Sequence, residues 1–375
     1  MQTLPVSTSQ ALPADAPSHG THDNAHGASA GTLRVSVIVP VRNEARFIER
    51  TLAQLVDQDF DPDRFEIIVV DGQSTDGTPA LVAKFAEGHP NVCLLHNPQR
   101  LASAARNIAI RHARGDLILV VDGHCDLADR RCLQKLVAAF QRSGADCIGR
   151  PQPLDIEGAS TLQRAIAAAR SSRLGHHPDS FIYSTEERFV PAKSVAAAYR
   201  RSVFDRVGYF DEAFDACEDV ELNHRIDHAG LTCFFTPEVA VHYAPRDTLR
   251  GLFRQLVRYG RGRVRLVRKH PETFSVLPLV PGLFVAGVLL GPLTALTWAP
   301  LAAAYLAVLL LYAAILLAGS IAVAARAKDY RLIFWLPLVF ATVHAGSGTG
   351  LLRESIWPGR AKPSDSQSGD LCRAV

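Results

Sequence analysis

A chain of 375 residues has room for one large domain and an appended region. Its net charge of +3 gives no global attraction for polyanions, so nucleic acid is not an expected partner and any basic patch must be local. The seven cysteines are odd in number and lack Cys-x-x-Cys spacing. That excludes an obvious disulfide framework or zinc knuckle and suits a reducing compartment.

Residues 1–32 are rich in Ala, Ser, Thr, Pro, Gly and His, with no apolar core and no signal-peptide h-region. They read as a disordered tail, and His19, His22 and His26 have nothing nearby to pack against. Val35–Val39 then reads as a strand ending on Pro40, and Glu44–Asp57 as an amphipathic helix with apolar residues at 47, 48, 52, 55 and 56. A second strand, Ile67–Val70, ends on Asp71-Gly72; Thr78–Glu87 is helical; Val92–Leu95 is a third strand; and Leu101–Ala113 is helical. Alternation of this kind predicts βαβ units and a parallel sheet.

The fourth strand, Leu117–Val121, is apolar on both faces and stops at Asp122-Gly123-His124-Cys125-Asp126. Ligands of open α/β sheets gather outside the carboxyl ends of the strands, which is where Asp122 stands. Asp122 and His124 are two residues apart, point the same way from extended chain, and together can hold a divalent ion. The competing reading makes Asp122 or Asp126 a cap for the helix beginning near Asp129.

Beyond it, Cys132–Phe140, Thr161–Arg173 and Glu218–His228 read as helices, and Val195–Tyr199 as a strand. Glu218-Asp219 opens its helix, where carboxylates favour the dipole but can also serve as a general base. Thr248–His270 carries eight Lys or Arg residues beside an incomplete apolar stripe, as expected of an interfacial helix. Arg265, Arg268 and Lys269 read as a solvated positive flank. About fifty residues from Thr273 to Ala325 then carry no charge, enough for two spans near 275–298 and 301–325 at roughly 20 residues each. A third candidate, 332–352, is interrupted by Pro337, His344 and several glycines.

The chain thus divides into a tail (1–32), an α/β domain (33–247), a basic interfacial helix (248–272), a membrane region of two or three helices (273–352) and a second tail (353–375). Arg258–Lys269, and Arg326, Lys328 and Arg331, favour the cytosol, whereas a third full span would export Arg353, Arg360 and Lys362.

The segments 37–44 (Val-Ile-Val-Pro-Val-Arg-Asn-Glu), 71–78 (Asp-Gly-Gln-Ser-Thr-Asp-Gly-Thr) and 105–107 (Ala-Arg-Asn) are followed in order by Asp122, Glu218-Asp219 and Gln255-Leu-Val-Arg258-Tyr259. In this order they resemble the inverting family-2 glycosyltransferases with a GT-A fold, a Rossmann-like mixed α/β sheet. Segments 171–175, 199–204, 245–249 and 259–263 are similar to the succinoglycan-type glucosyltransferases of bacterial exopolysaccharide assembly.

The resemblance implies that Pro40, Arg42, Glu44, Asp71, Ser74 and Asp76 line a nucleotide-sugar pocket, with Arg106 beside the pyrophosphate. It implies Asp219 as the base, supported by Glu218, and Gln255, Arg258 and Tyr259 as the family's Gln-x-x-Arg-Trp, holding donor or acceptor. Asp122 takes the first place of Asp-x-Asp, implying Mn2+ or Mg2+. His124 replaces the second aspartate and Tyr259 the tryptophan, so processive synthesis is not expected.

The implied enzyme moves a hexose, glucose by the closer likeness, from a UDP-type sugar to a polyprenyl-diphosphate saccharide. It would be a multi-pass protein of the bacterial inner membrane, its catalytic domain cytoplasmic, open to partnership in a polysaccharide assembly complex. The rivals are a polyprenyl-phosphate sugar synthase and an inactive subunit that only binds nucleotide. A nucleotidyltransferase is disfavoured, because no lysine-bearing phosphate loop follows the first strand.

Overall fold

The computed structural model describes residues 33–359 apart from 128, 173, 176–180, 183 and 297, so both expected tails fall outside the described residues except for 353–359. The elements in order are β1 (Val35–Val41), α1 (Ile48–Val56), β2 (Phe65–Asp71), α2 (Thr78–Glu87), β3 (Val92–His96), α3 (Ala102–His112) and β4 (Leu117–Val120). Then come β5 (Cys125–Asp126), α4 (Cys132–Ser143), β6 (Cys147–Gly149), α5 (Thr161–Arg170), β7 (Arg188–Val190), β8 (Ala196–Arg200), α6 (Arg201–Val207) and α7 (Glu218–His228). The chain closes with β9 (Cys233–Phe235), β10 (His242–Tyr243), α8 (Leu249–Lys269), α9 (Leu279–Ala295), α10 (Ala299–Ala327) and α11 (Leu336–Ile356).

Eight strands form one mixed sheet in the order β3-β2-β1-β4-β8-β6-β9-β7. β3, β2, β1 and β4 are mutually parallel, and β8 joins β4 antiparallel. Side chains alternate across it: Val35, Val37 and Val39 of β1 pack with α1, α2 and α4, whereas Ile38, with Ile68 and Val70 of β2, packs against α3, α6 and α7. The chain leaves β1 for β2 on one side and returns to β4 on the other. That reversal opens a crevice at the carboxyl ends of β1, β2 and β4.

Helix α1 begins four residues later than the apolar spacing predicts. Asn43 adopts φ 58°, and the amides of Glu44 and Ala45 donate to Thr78 Oγ1 (2.9 Å) and Asp76 Oδ2 (3.0 Å) instead of entering a helical ladder. The short pairing of β5 with β10 carries no apolar alternation and escapes sequence inspection.

The C-terminal helices differ from the expected spans in an informative way. Only α10, with 29 residues, is long and apolar enough to cross a membrane among the described residues. Leu306, Val308, Leu310 and Leu311 on it face outward. Helix α9 is 17 residues long. Helix α11 lies along α8 and packs with α5. Its first end follows Asp329, which pairs with Arg164 of α5 at 3.3 Å. Its other end holds Glu354, fully buried, which accepts from Arg261 Nε (2.9 Å) and Arg265 Nε (2.8 Å). The segment leading into α11 is thus tied to α5, and its last turn to α8.

This network also corrects the solvated flank expected of α8. Arg265 pairs with Asp215 at 2.8 Å, Arg268 donates to the Glu354 carbonyl at 2.8 Å, and Lys269 bridges Asp211 (2.6 Å) and Glu221 (2.7 Å). The acids that bind them lie far off in sequence, so a local reading leaves the cations to water.

Helix α8 is clasped on two sides through glycines. A Cβ on Gly262 would meet Ala216 O at 2.6 Å and Cys217 Sγ at 2.8 Å, and one on Gly260 would meet Leu351 N at 2.9 Å. Gly262→Val is expected to lower unfolding stability by roughly 1–3 kcal/mol through overpacking. Gly287→Ala, with open space around it, should not. Denaturant unfolding in detergent checks both.

Candidate functional site

Arg106, on the first turns of α3, reaches across the crevice. Its Nη1 donates to Glu218 Oε1 at 2.7 Å and its Nη2 lies 3.7 Å from Asp122 Oδ1, while the guanidinium stacks over Phe210 at 5.3 Å. The Arg106 and Glu218 side chains are 12% and 10% exposed, and Asp122 is 31% exposed. One cation thus joins the end of β4 to the start of α7, with Asp122 partly exposed and Glu218 buried.

Burial alone would lower the pKa of Arg106, but Glu218, then Asp122 and Asp219, outweigh it and raise it. Burial pushes the Glu218 carboxyl up; Arg106 pulls it back, Asp219 adds to the rise, and the net direction is upward. Asp219, next along, is exposed, with Oδ1 accepting from the Val220 amide at 2.8 Å. Cys217 before them takes φ 64°, and this left-handed turn starts α7 without a side-chain cap.

On the β1 side, Glu44 Oε1 meets His124 Nδ1 at 3.0 Å. Gly123 permits this approach, since a Cβ there would strike Val41 Cγ1 at 2.7 Å. Burial would lower the His124 pKa, but the Glu44 hydrogen bond and the Asp122 charge outweigh it, so the net shift is upward. Nδ1 is committed to Glu44, which leaves Nε2 as the ring's ligating atom. A carboxylate oxygen from Asp122 and one imidazole nitrogen suit Mn2+, and with more oxygens Mg2+. The residues present therefore fit such an ion.

The remaining expected residues fall into two groups. Asp71, at the end of β2, is buried; its Oδ2 accepts from the Ser74 amide at 3.1 Å, and its Oδ1 has no partner. Pro40 lies near the end of β1, and exposed Arg42 directly follows that strand. Ser74 and Asp76 instead tie loops together: Ser74 Oγ accepts from Asn43 N at 2.8 Å, and Asp76 accepts from Thr78 and Ala45. On α8, Gln255 Nε2 donates to Tyr259 Oη at 3.1 Å, and Arg258 donates to Asp215 O at 2.5 Å beside the α7 start.

Arg150 was not singled out by sequence. It is buried, donates to Val120 O at 2.7 Å beneath the end of β4, and keeps Nε and Nη1 without partners. It follows a short strand within no motif, so only burial reveals it.

A family model for glycosyl transferase family 2 matches residues 36–208. The succinoglycan biosynthesis protein ExoA of Rhizobium meliloti (strain 1021) is 33% identical over 263 residues, covering 68% of this chain and 77% of that protein. The chain belongs to glycosyltransferase family 2. Glycosyltransferase AglE of Haloferax volcanii is 27% identical over 233 residues, covering 62% of this chain and 73% of its own. The mannosyltransferase PcManGT of Pyrobaculum calidifontis, solved with GDP-Man and Mn2+, superposes with a TM-score of 0.54 at 26% identity, over 87% of this chain and 88% of that one. The mixed sheet is accordingly a GT-A fold, and the family-2 chain is a glycosyltransferase.

The Glu44–His124 pair has a defined pH sign. A histidine whose pKa is raised on folding contributes stability fully below its unfolded value, near pH 6.5, and loses it as pH rises through the folded value. The stability gap between the native chain and Glu44→Gln should therefore be wider at about pH 6 than at about pH 9, as measured by urea unfolding. Arg106→Met, which strands Glu218 in the crevice wall, should cost roughly 3–5 kcal/mol in the same assay at neutral pH.

Proposed function

We propose that this family-2 enzyme inverts configuration as it transfers a hexose from a nucleotide diphosphate sugar to a lipid-linked saccharide in exopolysaccharide assembly. The observation that carries this reading is Arg106 held between Asp122 and Glu218, with exposed Asp219 next to the latter. A donor site and a base site then share one sugar ring.

Asp71 Oδ1, buried and unpartnered, is the acceptor for an N–H of the nucleotide base, with Pro40, Arg42, Glu44, Ser74 and Asp76 shaping the pocket around it. Asp122 and His124 would hold Mn2+ or Mg2+, which would supply positive charge against the departing diphosphate. Arg106 stays cationic between the two carboxylates and fixes their spacing. Glu218 is buried and bound to Arg106, which leaves Asp219 as the carboxylate open to solvent. Asp219 takes the proton from the acceptor hydroxyl as its oxygen attacks the anomeric carbon from the face opposite the leaving group. Gln255, Arg258 and Tyr259 stand beside the α7 start, where they hold the diphosphate or the acceptor. UDP as nucleotide and glucose as sugar extend the resemblance carried by segments 171–175, 199–204, 245–249 and 259–263.

The acceptor reading rests on the apolar helices. Helices α9 and α10 form a hairpin whose two ends meet the α/β unit, and α10 has the length and outward-facing leucines of a membrane crossing. We assign the hairpin to the inner membrane with two crossings, α11 to the cytosolic side, and the catalytic crevice to the cytosol. That geometry brings a polyprenyl-anchored sugar to Asp219.

Asp219→Asn should lower transfer by at least about 100-fold while nucleotide-sugar binding persists, checked by labelled-sugar incorporation and by calorimetry. Full transfer by that variant would remove Asp219 from the base role. A lipid monophosphate sugar as the product would favour the synthase reading instead.

A further inference from the structure

A second cluster of ligating side chains lies away from the crevice, where the end of α8 crosses α7. His224 Nε2 is 2.8 Å from Glu272 Oε1, and His270 Nδ1 is 3.6 Å from the same oxygen. The three ligating atoms lie within 4.8 Å of one another. The other nitrogen of His270, Nε2, lies 3.0 Å from the carboxylate of Glu221, whose side chain is completely buried and is also held by Arg225 and Lys269. With the proton on Nε2 donated to Glu221, the Nδ1 lone pair turns toward His224 and Glu272. A carboxylate behind the imidazole is the arrangement that orients metal-ligating histidines.

From this geometry we infer that His224 Nε2, His270 Nδ1 and a Glu272 carboxylate oxygen form a binding site for a borderline divalent cation, zinc above all, with water as fourth ligand. Tetrahedral zinc with bonds of about 2.0–2.2 Å separates its ligand atoms by roughly 3.3 Å; the two distances to Glu272, 2.8 and 3.6 Å, bracket this, and the two imidazole nitrogens lie within 4.8 Å of each other. Two imidazoles and one carboxylate favour zinc over magnesium or calcium, which prefer oxygen. The site joins elements rather than serving one: His224 is on α7, while His270 and Glu272 lie in the short connection from α8 to α9. Asp219 is five residues before His224, roughly 7.5 Å along the same helix. An ion here pins the helix carrying Glu218 and Asp219 to the base of the apolar hairpin.

The test uses the full chain in detergent, stripped with chelator and titrated with Co2+ as a spectroscopic stand-in for zinc. The native chain should develop the visible bands of a tetrahedral nitrogen–oxygen site at one equivalent, and zinc should raise its Tm. Glu272→Gln, at an exposed position, and His224→Gln should each abolish the bands while circular dichroism stays native. Asp122→Asn, which removes a ligand of the separate donor-site ion, should keep them. Absence of bands in the native chain, their survival in both cluster variants, or their loss in Asp122→Asn would each overturn the assignment.

Discussion

The site depends on one partly hidden cation. Arg106 is nearly out of solvent, yet it is flanked by carboxylates from β4 and α7 and lies flat on Phe210. Removing a charge from water is costly unless its partners are close and well directed. Here the partners are the two acids that the proposed reaction would use. The cost of burying Arg106 is therefore offset by the two carboxylates whose separation it sets. Asn107 beside it donates to Phe210 O (2.9 Å) and Glu212 (2.8 Å), which ties the loop before α7 to α3 and locks the bridge in place.

Backbone strain concentrates around the same crevice. Among the described residues, five non-glycine positions adopt positive φ, and Asn43, Gln73, Arg100 and Cys217 are four of them. Three follow strands β1, β2 and β3, and the fourth precedes α7. Asn43 Oδ1 accepts from Thr75 N at 2.8 Å, and Arg100 bonds Gln73, so each strained turn is held by its neighbour. Such conformations persist where surrounding contacts over-determine them.

Much of the fold was legible because the parallel strands are continuous apolar runs and the helices between them alternate at regular spacing. The strand ends Asp71 and Asp122 were legible for the same reason, as acids closing apolar runs, but only folding shows that Asp122 is partly exposed while Asp71 is buried. What escaped depends on distant partners. The charges of α8 looked solvated because Glu354 and Asp215 lie far away in sequence, and the late start of α1 reflects side chains from the β2–α2 loop. Arg150 and the His224–His270–Glu272 cluster had no motif, and only folding brings their atoms together. The sequence left 332–352 open because its glycines and apolar residues suit lipid as well as they suit close packing on α8.

The path of the apolar hairpin has an electrostatic consequence. The chain leaves the α/β unit after α8, runs out along α9, returns along α10, and rejoins the unit at the Arg164–Asp329 pair. Nothing between Thr273 and Ala325 carries a formal charge. The whole stretch can therefore sit in apolar surroundings without an ionised group to desolvate.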